Sequence, residues 1–173
     1  MNTKYAYERG TFYENESCVE GSHFLSLTLR INSGGIKMEN RITVREAVTE
    51  IEIAAFWEQL YNYYKRDIFP DSVDGEQNHF LGVEYRQHMK IIHKRPQDRC
   101  YYLLFYQNEQ NVGFAMPVIY TSEDGKCFIM DFCVYPEFRG NGMGKECARA
   151  LLKWAEKNGA FYAELNYSDN VRR

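Results

Sequence analysis

The chain has 173 residues, of which 45% are hydrophobic and 26% charged, and its formal net charge is −3. That is one domain with room for a sizeable core, and its mild acidity, without a clustered Lys/Arg stripe, argues against nucleic acid as a partner. No apolar run approaches 18 residues and the opening MNTKYAYERG lacks the apolar centre of a signal peptide, so a soluble, cytoplasmic protein without a membrane partner is expected.

In chain order, Thr11 to Glu16 and His23 to Ile31 (HFLSLTLRI) read as two strands, followed by the break Asn32-Ser33-Gly34-Gly35. We therefore divide the single domain into residues 1–31, a linker over 32–40 and a core over 41–173. Met38 to Ala47 reads as an opening strand. From Glu50 to about Phe69 the spacing is helical, with Ile53, Phe56, Trp57, Leu60, Tyr61 and Tyr64 on one face. After a polar loop, Asp71 to Gln77, a second helix is expected over Phe80 to Lys94, stopping ahead of Pro96. Tyr101–Tyr106 and Val112–Tyr120 read as strands paired across the turn Gln107 to Asn111, with Pro117 marking a bulge or an edge. Phe128 to Tyr135 is an apolar run broken only by Asp131, the length of a buried central strand. A helix follows, with Met143, Cys147, Leu151 and Trp154 on one face and Asn158-Gly159 closing it, and then a strand over Ala160 to Asn166. Together these predict an α/β fold.

The five cysteines, Cys18, Cys100, Cys127, Cys133 and Cys147, are odd in number and contain no C-x-x-C pair, which predicts reduced thiols and no metal site. His88 and His93 lie five apart, on different faces of a helix, and read as surface residues.

The central strand stops at Pro136 and is followed by Arg139-Gly140-Asn141-Gly142-Met143-Gly144, a glycine-rich turn opening a helix. Bare backbone N–H groups at a helix N-terminus can hold an anion such as a pyrophosphate. The spacing rejects two common carriers. A mononucleotide loop needs Ser or Thr after Gly-Lys, whereas Gly144-Lys145 is followed by Glu146; a dinucleotide fingerprint needs G-x-G-x-x-G. A turn with no ligand is the plainer alternative, but it does not require three glycines and an arginine. The stretch from Val134 to Gly144 resembles the acetyl-coenzyme A motif of the GCN5-related N-acetyltransferases, V-x-P, two or three residues, then R/Q-x-x-G-x-G/A.

That resemblance implies a central mixed, mostly antiparallel sheet flanked by helices, and acetyl-CoA as co-substrate. It also places the family's final helix and strands oddly. After Asn170 this chain stops, whereas Ala6 to Asn15 (AYERGTFYEN) is similar to the family's F-Y-E-x-x-G-F-x-E-N. The C-terminal segment is thus expected at the front, as a circular permutation or a strand-swapped homodimer; an unrelated extension would leave an exposed apolar edge. The resemblance implies that Phe132, Cys133 and Val134 pair with the pantetheine arm, that Arg139, Gly140, Asn141, Gly142, Met143, Gly144 and Lys145 hold the pyrophosphate, and that Asn170 contributes to the same site. Tyr7 matches the tyrosine that protonates the leaving thiolate.

The acceptor amine must lose a proton, which makes Asp131 the candidate base; it equally fits a carboxylate that only accepts hydrogen bonds. Glu84 is in reserve, and a nucleophilic Cys133 is the less favoured alternative. Trp57, Tyr61 and Glu84 are the candidate acceptor-binding residues. Trp57, Tyr61 and Tyr64 suit stacking on or caging a cation, and the carboxylates Asp67, Asp71, Asp74, Glu76 and Glu84 favour a small cationic amine, unless they are only a solvated loop. A non-catalytic acyl-CoA-binding module and a protein or peptide amine acetyltransferase are the alternatives.

Overall fold

The computed structural model describes residues 24–30, 42–68, 80 and 82–168. Expected features at Tyr7, Thr11 to Glu16, Cys18, 32–40, Asp71 to Gln77 and Asn170 lie outside them. The sheet runs β1 (Phe24–Arg30), β7 (Tyr162–Ser168), β6 (Lys126–Val134), β5 (Gln110–Tyr120), β4 (Leu103–Gln107), β2 (Thr43–Glu46), with the short β3 (Arg99–Cys100) paired to β5. All pairs are antiparallel except β6 with β7. This is the mixed, mostly antiparallel sheet that was expected. A parallel pair needs a long crossover, here α3 (Met143–Lys157). The strand β1 runs antiparallel to β7, so among the described residues β1 and β2 occupy the two edges of the sheet.

Each face of the sheet carries its own core. On one side α3 buries Cys147, Ala150, Leu151 and Ala155 against Phe105, Ala115, Ile119 and Ile129. On the other, α1 (Glu50–Tyr63) and α2 (Val83–His93) bury Phe56, Trp57, Leu60, Tyr85 and Met89 against Tyr102, Phe114 and Cys133. Helix α1 starts where Thr49 and Glu52 form a reciprocal capping box. It ends in a π-helical turn, Tyr64–Ile68. The expected apolar face is correct but for Tyr61, which is 40% exposed.

Three expectations needed correction. The β4–β5 connection is a two-residue turn, Asn108-Glu109, both at positive φ as a tight primed hairpin requires, so the paired strands extend further, to Gln107 and Gln110, than the polar stretch suggested. Helix α2 begins at Val83 after the N-cap Gly82, later than Phe80. His93 is not a plain surface side chain, because its Nδ1 lies 2.8 Å from the Cys100 carbonyl oxygen and its ring stacks on Tyr102 at 4.4 Å. Cys100, Cys127, Cys133 and Cys147 are all buried and unpaired. No helix among the described residues is long and apolar enough to cross a membrane.

Candidate active site

The site is created by two irregularities in β6. The first is a bulge. Met116 pairs with Asp131 but Pro117 pairs with Ile129, which leaves Met130 as an extra residue opposite a proline that has no N–H to give the ladder. One extra residue reverses the alternation of side chains. Cys127 and Ile129 face α3, whereas beyond the bulge Cys133 belongs to the α1/α2 core and Phe132 and Val134 take the α3 side. Asp131 is thereby turned toward α1. Pro117 thus makes a bulge in the middle of the sheet, not an edge.

The second irregularity is a parting of strands. β7 pairs with β6 only from Lys126 to Ile129, so among the described residues β6 has from Met130 onward a neighbour on the β5 side alone. Tyr135 N–H donates to the Val112 carbonyl, 3.0 Å away. Backbone groups alternate along a strand, so the N–H and C=O of Val134 point the other way, into the gap that β7 has left. The carbonyl is taken there by Arg139 Nε at 2.8 Å. The close approach of β5 depends on Gly113, where a Cβ would stand 2.2 Å from the Cys133 carbonyl oxygen.

Past Val134 the chain turns through Pro136–Phe138 and reaches Gly140, Asn141 and Gly142, three successive residues at positive φ (93°, 48° and 79°). This geometry is why glycine occupies two of the three positions. Helix α3 opens with no side-chain cap on its N-terminal N–H groups. A Cβ at Gly140, Gly142 or Gly144 would meet nothing within 4 Å. The turn is therefore an open cradle of uncapped donors at the positive end of a fifteen-residue helix, which fits a pyrophosphate. Arg139 is already engaged. Besides Val134 it donates to Asp67 in the π-helical turn at 2.7 Å, and Asp67 also holds Arg66 at 2.7 Å.

Asp131 sits on the other side of the strand, 7% exposed. Tyr64 Oη donates to its Oδ2 at 3.0 Å. Burial raises the carboxyl to about 7, against the opposing pull of that hydrogen bond. Tyr64 and Tyr85 are hydrogen-bonded to each other. Burial holds both phenols well above their usual value. Tyr64 also lines a cleft of about 260 Å³ between α1 and the start of α2, with Trp57, Glu58, Tyr61, Phe80 and Arg86. Tyr64 thus touches both the cleft and, through its hydroxyl, Asp131.

The sequence pattern of the acetyltransferase (GNAT) family matches residues 57–172. The chain belongs to the acetyltransferase (GNAT) family. Its members use acetyl-CoA. Among solved structures, the chain is similar to the protein YycN of Bacillus subtilis, designated an acetyltransferase (17% identity, 76% of this chain and 84% of that one, TM-score 0.58). It is also similar to a GCN5-related N-acetyltransferase of Sphaerobacter thermophilus (16% identity, 86% and 43%, TM-score 0.53) and to a protein of Pyrococcus furiosus designated an acetyl transferase (17%, 76% and 85%, TM-score 0.52). At these identities the likeness is one of fold. No curated protein matches the chain.

Of the residues singled out from the sequence, Phe132 to Val134 lie on the last part of β6 and Arg139 to Lys145 on the turn and helix start that follow Pro136–Phe138, while Asp131 precedes them with its side chain toward Tyr64. Trp57 and Tyr61 line the cleft. Glu84 is exposed on α2 and is not part of the lining. Asp67 is engaged by two arginines. Tyr7 and Asn170 lie outside the described residues. Burial raises the Cys133 thiol to about 11, which keeps it protonated and unsuited to nucleophilic attack. Among the described residues no three His, Cys, Asp or Glu side chains converge to hold a metal. Sequence reasoning missed the Tyr64–Asp131 bond and the parts played by Tyr85 and Arg86. The Tyr85–Met89 spacing on α2 marks an inward face that could have pointed to Tyr85; nothing in the sequence marks Arg86.

Proposed function

We propose that this chain transfers the acetyl group of acetyl-CoA directly to the primary amine of a small molecule, with Asp131 as the general base. The observation that carries the reading is a buried carboxyl raised to about 7 and bonded to a tyrosine that lines the cleft, three residues from the open edge at Val134. A primary amine, with a pKa of about 10.4, is mostly protonated at neutral pH. A base is best matched to its task when its own pKa lies near the working pH.

Acetyl-CoA supplies the activated thioester. The N–H groups of Gly142, Gly144 and Lys145 hold its pyrophosphate, Met143 N–H being taken by the Gly140 carbonyl at 3.0 Å, and the edge of Phe132 to Val134 aligns the pantetheine arm. The Val134 N–H faces the thioester oxygen as charge develops there. Asp131 takes one proton from the ammonium to give the neutral amine, and as the C–N bond forms and the C–S bond breaks the nitrogen releases its second proton to solvent. Tyr7 returns a proton to the departing sulfur, and Asn170 completes the cofactor wall. The expectation of a cationic acceptor keeps Glu58 as its support among the described cleft residues.

We also propose a cytoplasmic setting, which suits the unpaired cysteines. In a two-fold dimer, β1 pairs with β7 of a second copy instead of its own. Within one chain β1 and β2 stand five strand steps apart, about 24 Å at about 4.8 Å per step. A monomer by sedimentation at micromolar concentration removes the dimer.

The enzyme reading is tested by thiol release from acetyl-CoA across a panel of amines, alongside calorimetry with acetyl-CoA, NAD and ATP. Tight binding of acetyl-CoA alone, with amine-dependent release, is expected. Acetyl-CoA binding without release for any amine would leave a non-catalytic acyl-CoA module.

A further inference from the structure

The cleft between α1 and α2 carries two charged side chains among its described lining residues, Glu58 and Arg86. Arg86 is half-buried, and its guanidinium carbon lies 5.5 Å from the centroid of the Trp57 ring. Its Nε is buried and has no hydrogen-bond partner among the described residues. Arg45, Arg66, Arg99 and Arg139 are each paired with a carboxylate, whereas Arg86 makes no ion pair among the described residues. A guanidinium presents a planar fork of donors that matches a carboxylate, and a buried donor left unbonded is costly. Because Arg86 lies over Trp57, that ring face is not free to cage a substrate ammonium.

We infer that the acceptor brings its own carboxylate to Arg86, so that the substrate class is an amine of amino-acid size carrying an acidic group. This inference rests on the cleft being the acceptor side of the acetyl-transfer reading. The other features agree. A volume of about 260 Å³ falls below the roughly 300–1,000 Å³ of pockets for drug-sized ligands. Tyr61, 40% exposed, carries Lys65 over one ring face at 4.3 Å and turns the remainder to the cleft, where Phe80 packs edge-on against Tyr64 and Tyr85 and completes an apolar wall. Glu58 balances the ammonium before Asp131 takes its proton, and Tyr64 stands between cleft and base. Two opposite charges on one cleft suit a zwitterion better than a polyamine, which would meet Arg86.

The test uses matched pairs that differ by one carboxylate: L-tyrosine with tyramine, L-phenylalanine with phenethylamine, L-lysine with cadaverine. Binding is measured by calorimetry in the presence of CoA, and kcat/KM by thiol release. At least one amino acid is expected to exceed its decarboxylated partner by tenfold or more in both measurements. Arg86→Met keeps an apolar stem against Trp57 and should erase that preference while leaving acetyl-CoA affinity unchanged; Arg86→Lys should restore part of it. Equal or better binding of the decarboxylated amines, no binding by any amino acid of the pairs, or a preference that survives Arg86→Met would each overturn the inference. A preference seen in binding and lost in Arg86→Met, but without thiol release, supports the carboxylate seat and removes the transfer reading instead.

Discussion

The two walls of the proposed site, one for the cofactor and one for the acceptor, are built on different principles. The cofactor wall is one continuous stretch, Val134 to Lys145, and it presents main-chain groups: a strand edge vacated by β7 and a helix N-terminus without a cap. The acceptor wall is scattered over α1, α2 and β6, and it presents side chains brought together only by folding, namely Trp57, Tyr64, Tyr85, Arg86 and Asp131. Backbone recognition needs particular dihedrals, and dihedrals are written locally in glycines and prolines. Recognition by side chains depends on which face of each element turns inward, and here that is reset by a bulge and a π-helical turn. One wall should therefore fail through main-chain crowding with the fold untouched, the other through loss of single functional groups.

The sharpest break is expected on the cofactor wall. Gly144→Asp places a side chain where nothing lies within 4 Å, at a helix N-terminus that favours a carboxylate. The melting temperature should hold or rise slightly while calorimetric binding of acetyl-CoA is abolished. Unchanged affinity would remove the anion cradle.

On the acceptor wall, Asp131→Asn should lower kcat by about 10²–10⁴ with acetyl-CoA affinity retained. In the wild type kcat/KM should climb with pH and level off above about 7, as Asp131 ionises, and the variant should lose that limb. Stability moves the opposite way. The folded-state pKa lies above the unfolded value of 3.8, so between about pH 4 and 7 the folded protein binds more protons than the unfolded chain. The wild type therefore loses stability as pH rises through that window, and the Asn variant, which has no such charge to bury, does not. The variant's melting temperature relative to wild type should become more favourable from pH 5 to pH 8. A difference that stays flat would mean Asp131 is not buried as a neutral acid.

This contrast between walls also decides how much was legible in the sequence. The order of elements and the β6–turn–α3 unit could be read, because an apolar run, a stop at Pro136 and alternating glycines are local features. Asp131 could be named as the lone charge in that run, but its direction could not, since the face it takes depends on Pro117 in a neighbouring strand disrupting the register. Tyr64 stood on the apolar face of α1 with no sign that its hydroxyl would meet a carboxylate 67 residues away. Arg86 looked like any helix arginine until Trp57 was found beneath it.

A finer probe of the acceptor wall is Tyr64→Phe. The hydrogen bond from Tyr64 favours the ionised carboxylate, so its loss should move the limb of the pH profile above about 7. At pH 7 kcat/KM should fall several-fold, with near-wild-type values recovered at higher pH. A uniform drop at every pH would show that Tyr64 shapes the cleft without tuning the base.

The smallest expected effect concerns the place where the two walls touch. Arg139 belongs to the cofactor turn, yet its guanidinium is tied to Asp67 at the end of α1. This pair is partly exposed, and such pairs contribute about 0.2–1 kcal/mol. If Arg139 must leave Asp67 to reach the pyrophosphate, Asp67→Asn should tighten acetyl-CoA binding by up to about fivefold at low ionic strength, with the gain shrinking as salt is added. Arg139→Ala should weaken binding in parallel, which separates release of the arginine from mere loss of a surface ion pair. The opposite result for Asp67→Asn, weaker binding, would mean that Asp67 holds Arg139 ready in place. The acceptor-side helix would then be organising the cofactor wall, and the two walls would be coupled rather than independent.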